Sequence, residues 1–353
     1  MNITFVVPCK DLSGGLRVIA AYGNNLLRLG HHVNVVYPFK KLSMKRKLKN
    51  RVLSFGKKQT DHLDQFHGNL MGVEAVTDAA VPRADIIVAT SWETAEWIRD
   101  FPESAGVKHY LIQGYEIWNA QIERVTDTFK LPFHKMVTSN WLKEIIEDTT
   151  NEQDIPVLWN GKDFFMSESL GEGVVRPYDI GMVYSNIPNK NSGLGLQTIL
   201  EVAKVYPNLK VVMFGTHKPE IKFPINVDFY TKPEQEKIRE IYMKTKIWLS
   251  TSRMEGFCLP ALEAISLGSA VVSTNSFGVQ DIINHGEDGF LVELTEEWKM
   301  KDYVIELMGS EEMRKKIQVN GLKKSEHFSW MKSSEKMEKI FLENIYSERN
   351  AAA

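Results

Sequence analysis

Two doubly wound α/β domains in tandem are what this sequence predicts, and three observations predict them. Short β-branched runs alternate with helix-period segments, the pattern of parallel α/β units. That series occurs twice, on either side of a polar, Gly-rich, aperiodic stretch at 160–176. The chain has 353 residues, too many for one ordinary core and enough for two or three domains.

The first series places strands at 3–7, 33–37, 85–89, 109–112 and 135–138. Met1-Asn2-Ile3-Thr4-Phe5-Val6-Val7 has no basic leader and too short an apolar run for a signal peptide, so it reads as the first strand. Between the first two strands, Val18, Ala21, Leu26 and Leu29 recur at near-helical spacing over 14–30, and Gly30 stops the helix. The second series places strands at 179–184, 210–215, 227–230, 247–251, 270–273 and 289–292, separated by helices at 192–205, 234–245, 260–267 and 297–308. The expected organisation is an N-terminal Rossmann-like domain over 1–160, a linker over 161–176 and a C-terminal domain over 177–330, with a ligand cleft between the domains.

Composition sets bounds. Hydrophobic residues are 43% and charged residues 25%, which is ordinary for a globular chain. The net charge of −2 gives no general case for nucleic acid. Cys9 and Cys258 stand far apart, in no metal-ligand or Cys-x-x-Cys spacing, so a reduced cytoplasmic chain is the simplest reading. No apolar run approaches the roughly 20 residues needed to span a bilayer.

The chemistry concentrates in 247–273, IWLSTSRMEGFCLPALEAISLGSAVVS. A strand ends near Thr251, a loop carries Arg253, Glu255 and Gly256, and Pro260 stands where a helix begins, because its missing N–H costs nothing there. The N–H groups of 256–259 are then candidate donors at a helix N-terminus, a natural anion site that suits a diphosphate. Glu255, before the helix, offers acceptors to sugar hydroxyls, and Glu263, one turn in, to a ribose diol. Taken singly, either glutamate reads equally well as a solvent-facing charge favoured by the helix dipole.

Glu255-Gly256-Phe257-x-x-Pro260-x-x-Glu263 resembles the Glu-x7-Glu signature of retaining GT-B glycosyltransferases, glycosyltransferase family 4 (group 1). The resemblance continues through Gly268-Ser269-Ala270-Val271-Val272, Phe277-Gly278-Val279-Gln280-Asp281 and Gly286-Glu287-Asp288-Gly289. It is strong over about 180–330 and weaker over 1–160. It implies an α/β GT-B fold, with two Rossmann-like domains facing each other across a cleft and a last helix, about 331–350, crossing back to the first domain. Met337, Ile340, Phe341 and Ile345 have the spacing for such docking.

By this resemblance Glu255 and Lys190 are the catalytic residues. The donor contacts are Gly14, Gly15, Arg253, Gly256, Phe257, Cys258, Leu259, Glu263, Ser185 and Tyr230. Two departures stand out. Ser185 occupies the position of a family arginine, which leaves Arg253 as the nearest cation to share the diphosphate charge. Gln113-Gly114 falls where the family often has a histidine, and this resembles a subset that includes some bacterial rhamnosyltransferases. Gln113, Tyr115 and Glu116 are accordingly the acceptor-side candidates. Phe277 and Asp281 replace a glycine and a glutamate of the family pattern.

The activity so implied is transfer of a hexosyl group from a nucleotide-diphosphate sugar to a hydroxyl acceptor, with retention. The acceptor class is a cell-envelope glycan or a lipid-linked acceptor. No cofactor and no metal are expected, because no Asp-x-Asp motif stands beside the diphosphate site and protein donors meet the leaving charge. Two other readings remain open: a nucleotide-sugar epimerase of the same fold, and a non-catalytic nucleotide-sugar-binding subunit.

Residues 39–58 hold nine Lys/Arg and no acid. Met44, Leu48, Val52 and Phe55 form an apolar stripe between them, the pattern of a helix lying on an anionic membrane surface. Lys45, Arg46, Lys47, Lys49 and Arg51 are the candidate membrane-docking residues, on a chain peripheral to the inner membrane face. A solvated loop is the other reading of this segment.

Overall fold

The computed structural model describes residues 1–11, 13–39, 61–117, 121–162 and 174–351. The membrane-docking candidates Lys45 to Arg51 and most of the expected linker lie outside the described residues. No described helix is long and apolar enough to cross a membrane. The chain divides into two compact units. Unit 1 is Met1–Thr138, Leu142–Trp159 and Trp330–Ala353; unit 2 is Ser139–Trp141 and Asn160–Ser329.

Unit 1 is built on β1 (Asn2–Val6), β2 (His32–Pro38), β3 (Asn69–Val73), β4 (Ile86–Ala89), β5 (Val107–Ile112) and β6 (His134–Val137). They form one parallel sheet in the order β3-β2-β1-β4-β5-β6. The order reverses between β1 and β4, so the connections leaving these two strands diverge and open a crevice at their C-terminal ends. Ile3, Phe5, Ile86, Ile87 and Val88 are fully buried, as strands covered on both faces require. β3 is a strand that the sequence reading lacks: an edge strand, half exposed along its length, offers no apolar run to detect. The helices are α1 (Gly14–Arg28), α2 (Trp92–Ile98), α3 (Ile122–Phe129) and α4 (Asn140–Thr150). Helix α1 stops at Arg28, two residues before the expected end, and Gly30 supplies a left-handed residue there (φ 88°).

Unit 2 repeats the plan with β7 (Tyr178–Tyr184), β8 (Lys210–Gly215), β9 (Asn226–Thr231), β10 (Thr245–Ser250), β11 (Ala270–Thr274) and β12 (Phe290–Val292). Their order is β12-β11-β10-β7-β8-β9, all parallel, with the reversal between β7 and β10. Helices α5 (Ser192–Val205), α6 (Gln235–Met243), α7 (Leu259–Ser266), α8 (Met300–Gly309) and α9 (Glu311–Ser325) pack around it. Helix α8 starts at Met300, later than the expected 297, because 294–299 coil as a 3₁₀ segment with a non-helical Glu296.

The last helix, α10 (Trp330–Ala351), packs on α1 and β5 within unit 1. Met337 and Phe341 are fully buried there, and Trp330 meets Tyr22 edge-on with centroids 5.2 Å apart. His109 on β5 is sealed beneath it. Its ring contacts Phe341 at 4.8 Å, its Nε2 accepts from Asn344 Nδ2 at 3.0 Å, and its Nδ1 reaches Val107 O at 3.2 Å.

Burial, with neighbouring His134 second, pushes the His109 pKa down to about 3. The native ring is therefore neutral, while the unfolded chain protonates near the usual 6.5. Stability from this group is present above that value and is lost as pH falls below it. By pH 5 the loss is about 2 kcal/mol. The urea midpoint of unit 1 should drop between pH 7 and pH 5, and a His109→Gln variant should show a shallower fall over the same range.

Candidate functional site

Most of the expected donor residues lie on two loops at the strand-order reversal of unit 2. The loop after β7 carries Pro188-Asn189-Lys190-Asn191, and the loop after β10 carries 251–258. Because β7 and β10 are hydrogen-bonded neighbours, both loops leave the same end of the sheet side by side. They are laced together. Arg253 N–H donates to Asn189 O (2.8 Å), Asn189 Nδ2 to Met254 O (2.7 Å) and Thr251 Oγ1 to Lys190 O (3.0 Å).

Across this lacing Lys190 Nζ meets Glu255 Oε1 at 2.6 Å, with 15% of the Glu255 side chain exposed. Burial works against the lysine charge, but the pairing with Glu255 outweighs it and holds the ammonium above its ordinary value. Two separately inferred catalytic residues, 65 positions apart, thus touch.

Glu255 is fixed through its backbone as well. Its N–H donates to Ser276 O (3.0 Å) and its carbonyl accepts from Gly278 N (3.2 Å). Gly278 is demanded by close approach, since a Cβ there would stand 2.3 Å from Gly256 O. The neighbouring Phe277 stands at φ 68°, a left-handed backbone that glycine adopts without strain. The resemblance implies a glycine at this position, and the backbone here is one that favours glycine. Within unit 2 the Phe277 ring stacks on Trp141, centroids 4.8 Å apart and planes 14° off parallel.

Cys258 turns the loop into α7 with a left-handed residue of its own (φ 69°), and Pro260 occupies the first helical turn. The Cys258 thiol is buried against Ser250 Oγ at 3.2 Å, and burial raises it to about 11, so it acts as packing and not as a nucleophile. The N–H groups of Gly256, Phe257, Cys258 and Leu259 find no acceptor among the described residues, whereas those of Ala261 and Leu262 turn back to Cys258 O. These four are donors available to an anion at the positive end of α7. Glu263, one turn in, is buried (7% exposed).

Two expected residues sit differently from the simplest picture. Arg253 is more than half exposed and its Nη2 lies 3.7 Å from Glu297 Oε1. Glu297 also accepts from Asn191 Nδ2 at 2.9 Å, so it ties both loops to the segment before α8. Nothing in the sequence marks Glu297, one of three glutamates within 293–297. Ser185 stays on the loop after β7, where its N–H donates to Ser192 Oγ (2.9 Å) and its hydroxyl accepts from Ile187 N (3.2 Å). Tyr230, at the end of β9, lies under Lys237 Nζ at 4.7 Å from the ring centroid.

In unit 1, Gly14 and Gly15 open α1 and Gly15 abuts Gln113: a Cβ on Gly15 would lie 3.4 Å from Gln113 Oε1. Glu116 Oε2 accepts from Trp92 N–H at the start of α2 (3.3 Å). Tyr115 packs near Phe129, centroids 6.0 Å apart. The acceptor-side candidates and the glycine pair are thus at one end of one sheet.

This is the scaffold of the GT-B glycosyltransferases: two parallel six-stranded Rossmann-like units, the second with an anion-ready helix start at its switch point. Among solved structures, Anabaena HepE in complex with UDP-glucose superposes with a TM-score of 0.75 at 12% identity, covering 97% of this chain and 100% of that one. The pneumococcal O-GlcNAc transferase GtfA in complex with UDP and GlcNAc gives 0.69 at 12% identity, over 98% and 99%. Residues 180–324, less than half of the chain and all within unit 2, match the family model "Glycosyl transferases group 1". An uncharacterized glycosyltransferase of Methanocaldococcus jannaschii is 24% identical over 212 residues, 58% of each chain. The chain spans a little over half the length of the first curated relatives it matches.

Proposed function

We propose that this protein transfers a hexosyl group from a nucleotide-diphosphate sugar to a hydroxyl acceptor, with retention of anomeric configuration. One observation carries the reading: the Lys190–Glu255 contact at 2.6 Å, beside four available N–H donors at the start of α7. A cation, a carboxylate and a helix terminus at one strand-order reversal suit a substrate that is an anion at one end and a polyol at the other.

In this reading Glu255 accepts from the donor sugar's hydroxyls and Glu263 from the ribose. The N–H groups of 256–259, with Lys190, meet the diphosphate. Charge that develops on the leaving diphosphate is stabilised by donors already in place, so no metal is called for. Arg253, held near the site by Glu297, stands in for the cation absent at Ser185. The leaving phosphate takes the acceptor's proton, so no enzymic nucleophile is required. Solved neighbours of this fold hold UDP-glucose, or UDP and GlcNAc, which supports a nucleotide-sugar donor. A cell-envelope glycan or lipid-linked acceptor, presented where the basic segment 39–58 docks peripherally on an anionic membrane, completes the proposal.

The experiment is a thermal-shift panel of UDP, GDP, TDP and ADP, followed by incubation with the matching nucleotide sugars. At a hundred times Kd a nucleotide adds about 2.7 kcal/mol of stability. Nucleoside diphosphate release that rises with added acceptor supports transfer. A flat response to all four nucleotides removes the proposal.

A further inference from the structure

Unit 1 has its own switch point, between β1 and β4. Three connections meet there: the segment after β1 with Cys9 and Asp11, the turn Thr90-Ser91-Trp92 after β4, and Gln113 to Glu116 after β5. Two side chains hang on the same turn. Gln113 Nε2 donates to Thr90 O (3.2 Å), and Glu116 Oε2 accepts from Trp92 N–H (3.3 Å). The Gln113 amide is thereby oriented, and its Oε1, although buried, has no partner among the described residues. Beside it stands Gly15, where a Cβ would lie 3.4 Å from that oxygen.

The electrostatics of this corner are one-signed. Glu93, next to Trp92, bears on both Glu116 and Cys9, and Asp11 accepts from the Cys9 thiol at 3.3 Å. The cations nearby are committed elsewhere: Lys10 to Asp61 and Asp64, and Arg124 to Glu96 while it also covers the Trp92 ring. Arg17 is engaged as well. Tyr110, on β5, faces Glu116 from below and stays protonated.

We propose that Glu116 and Gln113 are the specificity-determining residues for the acceptor, and that this unit takes an uncharged, hydroxyl-bearing acceptor and rejects phosphorylated ones. The proposal rests on the transferase reading above and names the substrate class of its second site. A hydroxyl both donates and accepts. It can give its hydrogen to Gln113 Oε1 and receive one from a protonated Glu116, whose pKa is raised to about 7 by burial first and by Glu93 second. A phosphoryl group can only accept and carries charge. It would meet the lone pairs of Gln113 Oε1 and the field of Glu93 and Asp11, with the nearby cations among the described residues already paired.

The test is ligand-observed NMR titration of the whole chain with methyl glycosides and with the corresponding sugar phosphates, on wild type, Glu116→Ala, Glu116→Gln and Gln113→Ala. Neutral glycosides should bind the wild type at least about tenfold more tightly than sugar phosphates. Glu116→Ala and Gln113→Ala should each weaken them about tenfold, and Glu116→Gln, which keeps an uncharged donor, should stay within about threefold. Sugar phosphates binding as tightly as glycosides, no glycoside binding at all, or full binding by Glu116→Ala would overturn the proposal. Should Glu116→Ala fail to fold, the wild-type comparison and Glu116→Gln decide it alone. Nucleotide shifts recorded on the same samples report on unit 2, so failure of the donor reading shows separately as a flat nucleotide response with the glycoside result intact.

Discussion

Lys190→Ala should lower the rate of sugar transfer by about 10²–10³-fold, the loss typical when one pre-placed donor to a developing negative charge is removed. The cause is differential. In the resting protein the Lys190 ammonium is neutralised by Glu255 at 2.6 Å. In the proposed reaction the diphosphate gains charge as the glycosidic bond breaks, and the ammonium is already within the lattice of bonds that joins the two loops. An interaction that is stronger in the transition state than in the ground state shows in kcat more than in KM.

The same substitution leaves Glu255, largely buried, as an uncompensated carboxylate facing an anionic ligand. Nucleoside diphosphate should therefore bind Lys190→Ala worse than it binds the double variant Lys190→Ala/Glu255→Gln, by about tenfold, because two groups in contact are not additive. The double variant should remain catalytically poor. Calorimetric titration of the four proteins of this cycle, with single-turnover rates beside it, checks both statements. Additive effects on binding would show that the contact seen in the structure does not persist in the loaded protein.

The parts of the molecule that the sequence disclosed are those whose physics is local. Val33, Val35 and Val36 in β2 and Ala270 to Val272 in β11 are buried, and buried parallel strands are written largely as apolar residues. The start of α7 was equally plain, because Pro260 marks a first helical turn wherever the chain later folds. β3 was not legible, since an edge strand needs hydrogen bonds from only one neighbour and tolerates Asn69 and Gly72. Helix α9 was missed for a related reason: its charged residues run almost all the way round, and only Ile317, with Met313 partly buried beside it, joins the core cluster.

At the site the contrast is between residue type and tertiary approach. Glu255 and Glu263 were singled out by their spacing around Pro260, and Lys190 by the family resemblance. That Lys190 and Glu255 touch was not legible, because a 65-residue separation is closed only by the adjacency of β7 and β10. Glu297, which holds Asn191 and Arg253 together, carries no signal among its neighbouring glutamates. Phe277 was visible as a departure from glycine, but the left-handed backbone beneath it could be seen only in the fold.

Arg176→Ala should destabilise unit 2 by about 2–4 kcal/mol, the largest loss expected from any single surface-proximal residue. Arg176 enters the sheet just before β7 and its guanidinium is enclosed. Nη1 donates to Met243 O (2.7 Å), Thr245 O (3.0 Å) and Tyr242 O (3.4 Å), and Nη2 donates to Leu267 O (2.8 Å). Burial holds its pKa down to about 10, so the charge persists at neutral pH. The carbonyls of Tyr242, Met243 and Leu267 close the C-terminal ends of α6 and α7, which carry negative partial charge, and that of Thr245 opens β10. Ser269 Oγ also donates to Tyr242 O and Thr245 O, so the two groups that lose everything are Met243 O and Leu267 O. Arg176→Lys should recover part of the loss, since one ammonium cannot span two helix ends as a planar fork does. The consequence reaches the site through α7 itself. The helix whose C-terminal end Arg176 holds presents Gly256 to Leu259 at its other end, so loosening one end should free the donors of the other. Hydrogen exchange over 235–270 should quicken in Arg176→Ala, and nucleotide affinity should fall with it although Arg176 touches neither Lys190 nor Glu255. Unchanged exchange at 256–262 alongside a lowered urea midpoint would confine the residue to stability and break the link from helix end to ligand site.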